Sequence, residues 1–230
     1  MFFFPLFDDN PSKKTPFVTW IIIIICFLIF FYQSNLNIVE YNKFIFSFGL
    51  IPAILSNQFE LPENLNIIHP ILTLISSAFL HAGWMHILGN MFYLWIFGDN
   101  VEDAMGTLNF IFFYLICAIS GGILQVLVNS SSITPMVGAS GAIAGILGSY
   151  FMLYPKANVK VFFWFLIFFR TINVPAWIVL SIWIAGQFMS APSSLLNGGG
   201  GVAYFAHIGG FLTGIILTPF MKREEVRIFS

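Results

Sequence analysis

Three short stretches carry residue types able to activate and stabilise an acyl-transfer reaction. Ser140 stands in Gly138-Ala-Ser140-Gly141, His207 in Ala206-His207-Ile-Gly-Gly210, and His86 and Asn90 in His81-Ala-Gly-Trp-Met-His86-Ile-Leu-Gly-Asn90. A serine hydroxyl is a weak nucleophile until an adjacent base takes its proton, and an imidazole is the usual base. An amide and a second imidazole can donate hydrogen bonds to the oxyanion that develops when a carbonyl is attacked. Taken alone, a serine in an apolar helix more often bonds back to its own backbone, and a buried histidine is more often a packing residue. Here three of the chain's four histidines fall in two of these motifs. The fourth, His69, precedes Pro70 and is assigned no role.

The elements that must position these residues are membrane helices. The 230 residues are 58% hydrophobic, 18% aromatic and 8% charged, against about 25% charged in an average soluble domain. Six apolar runs approach the roughly 20 residues that span a hydrocarbon core: approximately 17–32, 82–97, 110–128, 135–154, 174–189 and 201–221. The fold class expected is therefore all-α, a six-span polytopic bundle. Two shorter apolar pieces, Phe44 to Leu55 and Val161 to Phe169, read as interfacial or re-entrant segments. The domain reading is an N-terminal cytoplasmic segment over 1–16, a six-span domain over 17–221 and a cytoplasmic tail over 222–230.

Cytoplasmic flanks are enriched in Lys and Arg. With the N-terminus inside, Lys13, Lys14, Lys156, Lys160, Arg170, Lys222, Arg223 and Arg227 are all cytoplasmic and only Lys43 lies outside. The second, fourth and sixth spans then run from outside to inside, so the His86, Ser140 and His207 motifs, each near the start of its span, share one depth below the outer surface. Polar groups at such a depth are costly unless paired and are functional candidates by default. His86 and Asn90, four apart, share one helix face. Gly141 and Gly145 form one GxxxG and Gly210 and Gly214 another, a spacing that lets helix backbones approach closely. Pro135 and Gly138 suit a helix start, placing Ser140 in a first turn whose free N–H groups favour negative charge.

Other chemistries find less support. The net charge of -1 and the scattered basic residues offer no face for nucleic acid. Cys26 and Cys117 lie in apolar runs without ligand spacing and read as packing residues. No cofactor and no metal are expected. A haem- or metal-binding bundle would need His86 and His207 to face each other across a cofactor, whereas glycine patches favour direct helix contact. A transporter would be expected to carry charged residues within its spans, and none is seen in the six runs. The first residues lack the order of a cleavable signal peptide, and no Arg- and Ser-rich transit segment is visible. A prokaryotic plasma membrane is the expected location.

The HxxxN of His86 to Asn90, the GASG of Gly138 to Gly141 and the AHxxG of Ala206 to Gly210, in this order on alternate spans, resemble the rhomboid family of intramembrane serine proteases. The resemblance covers the chain from the first span to the sixth. It implies Ser140 as nucleophile, His207 as general base and then acid, and His86 with Asn90 as oxyanion donors. It further implies single-span membrane protein substrates cut near the outer face, with the first loop partly in the outer leaflet. Many members carry an aromatic residue four positions after the nucleophile, stacked on the imidazole. This chain has Ala144 there and lacks the Trp-Arg pair often seen in the first loop. A non-catalytic relative that binds or escorts transmembrane helices is the alternative; such a protein would be expected to lose the serine or the histidine, and both are present.

Overall fold

The apolar runs become helices in the computed structural model, which describes residues 2–165, 168–196 and 201–229. Helix α1 covers Phe17–Ser34. After it, Asn37 caps α2 (Ile38–Phe48): its side chain accepts from the N–H groups of Val39 and Glu40 at 3.0 Å, and Glu40 accepts from the N–H of Asn37. Gly49 and Pro52 break this segment from the short α3 (Pro52–Leu55). A 3₁₀ turn, α4 (Thr73–Ser76) and a second 3₁₀ turn form an arm bent by 82° against α5 (Trp84–Met105). Helices α6 (Thr107–Val128), α7 (Ser140–Leu153), α8 (Ala176–Leu196) and α9 (Tyr204–Met221) complete the bundle.

Helices α1, α6, α8 and α9 are long and apolar enough to cross a membrane, and the bent arm with α5 makes a fifth candidate. The 14-residue α7 is shorter because its first five expected residues are not helical. Met136 instead pairs with Leu50 in an isolated antiparallel bridge, and Gly138 has φ +127°, which no helix accommodates. Helix α7 is the centre of the core, buried almost throughout, and its most extensive contact is with α9. Large apolar side chains such as Leu28, Phe112, Ile182 and Phe220 face outward, the surface that a helix bundle presents to lipid rather than water.

The all-α expectation is corrected by a three-stranded antiparallel sheet in the order β1 (Phe2–Asp8), β2 (Asn158–Phe165), β3 (Phe168–Pro175). The run from Val161 to Phe169, read as interfacial, lies in the β2–β3 hairpin; residues 166–167 are outside the described residues. Val, Phe, Trp and Ile dominate these strands, and β-branched and aromatic side chains favour a pleated, half-buried surface. Val159 and Val161 enter the core, while Phe4 stacks on Phe92 of α5 at 5.0 Å. The sheet thus lies against the bundle beside α5 and α8.

A second correction concerns charge within the spans. Helix α5 does not stop near Phe97 but continues to Met105, carrying Asp99, Glu102 and Asp103. Glu102 is buried because its carboxylate accepts from the N–H groups of Val18 and Thr19 and from the Thr19 hydroxyl. Those are the donors that the start of α1 leaves unpaired. Asp103 is paired with Arg223 at 3.0 Å. Arg223 N–H also donates to the carbonyl of Ala104, and Phe229 N–H to that of Met152. The tail is thereby fastened across the ends of α5 and α7.

Candidate active site

Ser140 is the first residue of α7. The chain reaches it through an extended segment pinned by paired hydrogen bonds between Leu50 and Met136 and by Gly138 N–H donating to Ser77. A Cβ at Gly138 would lie 2.6 Å from His86 Nε2. Both that contact and the positive φ require glycine. Beyond this turn the first N–H groups of α7 have no partner within the helix, and Ser140 stands among the residues that carry them.

The GxxxG pairs do bring α7 and α9 into backbone contact. A methyl group on Gly210 would overlap the carbonyl of Gly141, and one on Gly214 the carbonyl of Gly145; one on Gly145 would strike Cys117. With the helices this close, Ser140 Oγ lies 2.8 Å from His207 Nε2. Ser140 is half-buried, while His207 is 8% exposed. Its other nitrogen, Nδ1, is 2.7 Å from Gln187 Oε1 on α8. The Trp183 ring lies against the imidazole at 5.8 Å with planes 32° apart, and Tyr204 meets it edge-on at 6.4 Å.

His86 and Asn90 line the other side, at Gly138. His86 Nδ1 accepts from the N–H of Ala82 at 3.4 Å. In the neutral ring this leaves the hydrogen on Nε2, the nitrogen that faces Gly138. Asn90 is buried and its Nδ2 has no hydrogen-bond partner. A buried amide donor left unpaired costs about 1–3 kcal/mol, a cost that an oxyanion at this position would offset. His81, edge-on to His86 at 5.2 Å, is fully buried with neither ring nitrogen partnered.

All the residues singled out by sequence therefore converge: Ser140 with His207 directly, His86 and Asn90 around Gly138, and the five glycines at the contacts between α5, α7 and α9. His69 stands apart, capping a 3₁₀ turn through Nδ1. Gln187 and Trp183 are not singled out by the sequence, whereas His81 opens the motif of His86 and Asn90. The signal for Gln187 was present, since it is a lone amide inside the fifth apolar run. Among the described residues no group of three or more His, Cys, Asp or Glu is placed to hold a metal ion.

Comparison with known proteins gives this geometry a family. The rhomboid domain model matches residues 69–224, which include all three motifs. The chain is 31% identical over 149 residues to rhomboid protein 1, mitochondrial, of Saccharomyces cerevisiae, covering 63% of this chain and 40% of that protein. It is 34% identical over 151 residues to RHOMBOID-like protein 6, mitochondrial, of Arabidopsis thaliana (63% and 41%). It is 32% identical over 144 residues to rhomboid-like protease 5 of Toxoplasma gondii (61% and 15%). The matched region thus spans about two fifths or less of each of these relatives. With the domain match extending from the bent arm through α9, and with Ser140 and His207 in contact at its centre, the chain belongs to the rhomboid family.

Proposed function

We propose that this membrane protein is an intramembrane serine endopeptidase in which Ser140 is the nucleophile and His207 the general base. The observation that carries the proposal is the 2.8 Å contact between Ser140 Oγ and a buried His207 Nε2. His207 takes the hydroxyl proton as Ser140 attacks the scissile carbonyl, then returns it to the leaving amine. The free N–H groups at the start of α7, Asn90 Nδ2 and His86 Nε2–H supply donors to the oxyanion. Water then cleaves the acyl-enzyme with His207 again as base. No step calls on a metal or cofactor.

The substrates are single-span membrane proteins that approach through the bilayer. The topology proposed is six spans, α1, the bent arm with α5, α6, α7, α8 and α9, with residues 1–16 and 222–230 cytoplasmic and the site near the outer face. A prokaryotic plasma membrane, expected from sequence, draws no support from the relatives, several of which are mitochondrial by name. The proposal is confined to a multi-pass protein of a cellular membrane.

The alternative is a helix-binding escort without activity. A fluorophosphonate probe applied to the purified protein, followed by mass mapping, separates the two. Label on Ser140 supports the protease, and an unlabelled Ser140 together with no cleavage of a model transmembrane substrate would leave the escort.

A further inference from the structure

The amide of Gln187 is held at both ends. Its nitrogen donates to the carbonyl of Trp183 one turn back at 3.2 Å, and its oxygen lies 2.7 Å from His207 Nδ1. A carbonyl only accepts, so the NH₂ must face Trp183 and Oε1 must face the ring. Oε1 in turn only accepts, so Nδ1 must carry the hydrogen. A neutral imidazole protonated on Nδ1 has its lone pair on Nε2, and Nε2 is the atom beside Ser140 Oγ. The Trp183 ring lies beside the same imidazole, tilted by 32° with centroids 5.8 Å apart, whereas Ala144, a buried residue of α7, offers only a methyl group.

We infer that Gln187 and Trp183 are positioning residues for His207: Gln187 fixes its tautomer and Trp183 its ring plane, so that α8 completes a site assembled by α7 and α9. The inference rests on the proteolytic reading of Ser140 and His207. A neutral amide sets direction and tautomer without placing a buried negative charge beside the imidazole. Helix α8 is the least buried of the four long apolar helices. It meets the bundle through α9, α7 and the sheet.

The test compares wild type, Gln187→Leu, Gln187→Glu and Ser140→Ala in detergent with a model transmembrane substrate. Leucine keeps the bulk and removes the acceptor, so kcat falls by about 10²-fold with KM little changed, within the range of acid–base contributions. Glutamate keeps an acceptor at the same reach and restores at least a tenth of wild-type turnover. Protein labelled with ¹⁵N-histidine gives an independent readout, the His207 signals being assigned against His207→Ala. Wild type shows a protonated Nδ1 and a bare Nε2, and Gln187→Leu shows a mixture. A wild-type His207 protonated on Nε2 overturns the inference whether or not any variant folds. So does wild-type turnover in Gln187→Leu while Ser140→Ala is inactive. Activity retained in Ser140→Ala would instead overturn the serine mechanism itself, so the two failures are distinct.

Discussion

Glu102 closes the start of α1 from another helix: its carboxylate accepts from Thr19 twice, at the backbone N–H and at the hydroxyl, each at 2.8 Å, and from Val18 N–H at 3.0 Å. Pro16 supplies no side-chain cap, so α1 depends on α5 for the partners its first turn lacks. Hydrogen bonds to a buried charge contribute about 1.5–3 kcal/mol each and are not additive. Glu102→Ala should destabilise the protein by about 3 kcal/mol, read as a lower thermal midpoint in detergent. A midpoint within 1 °C of wild type would show that water replaces the carboxylate without cost.

Gly210→Ala tests the approach of α7 and α9, because the added methyl meets the Gly141 carbonyl. Overpacking of this kind costs about 1–3 kcal/mol, and the displacement also separates Ser140 from His207. Cleavage should drop at least tenfold. Gly89→Ala, whose methyl meets nothing within 4 Å, is the control and should cleave like wild type.

Asn90→Ala should retain measurable turnover where Ser140→Ala has none, since removal of one oxyanion donor costs roughly 10²–10³ in kcat. His86→Ala should cost more, because it also opens a cavity. Cleavage assays with and without EDTA complete the experiment: unchanged rates with chelator are expected, and inhibition would require a metal in the mechanism.

Asp8, at the end of β1, gives a pH dependence outside the membrane helices. Burial, with Asp99 nearby, raises its carboxyl from 3.8 to about 6, although Tyr150 donates a hydrogen bond to it. A carboxyl that holds its proton more tightly when folded contributes stability below its unfolded pKa. That contribution is lost as pH rises through about 6. Each pKa unit is worth 1.36 kcal/mol, and screening at this partly exposed site reduces the total to about 1 kcal/mol. Wild type should therefore lose thermal stability between pH 4 and pH 7, and Asp8→Asn should lose less. Parallel melting curves for the two proteins would refute the assignment.

The sequence made the helices legible because an apolar run of sufficient length has few other uses, and it made the site legible because polar groups inside such runs stand out. Ser140, His207, His86 and Asn90 stand out on that basis, and the structure brings them together. Gln187 has the same character, but no motif surrounds this single amide to mark it. The sheet was missed for a physical reason: Val161 to Phe169 is apolar at every position, so neither a period of two nor one of 3.6 shows. The second run ends at residue 97 in the sequence because the charges that follow find their partners, at the start of α1 and in the tail, more than 80 residues away.

Strand β1 begins at Phe2, but the strand it pairs with begins at Asn158. During synthesis, therefore, β1 is made well before its partner, and α1, α5, α6 and α7 are made in between. Its backbone donors and acceptors wait for a template that appears only with β2, although α5 already offers Phe92 to the ring of Phe4. Local contacts form before such distant ones, so closure of the sheet belongs among the last events of assembly, and unpaired strand edges in the interim are prone to aggregation. A chain that ended before Asn158 would carry β1 without the strand it pairs with.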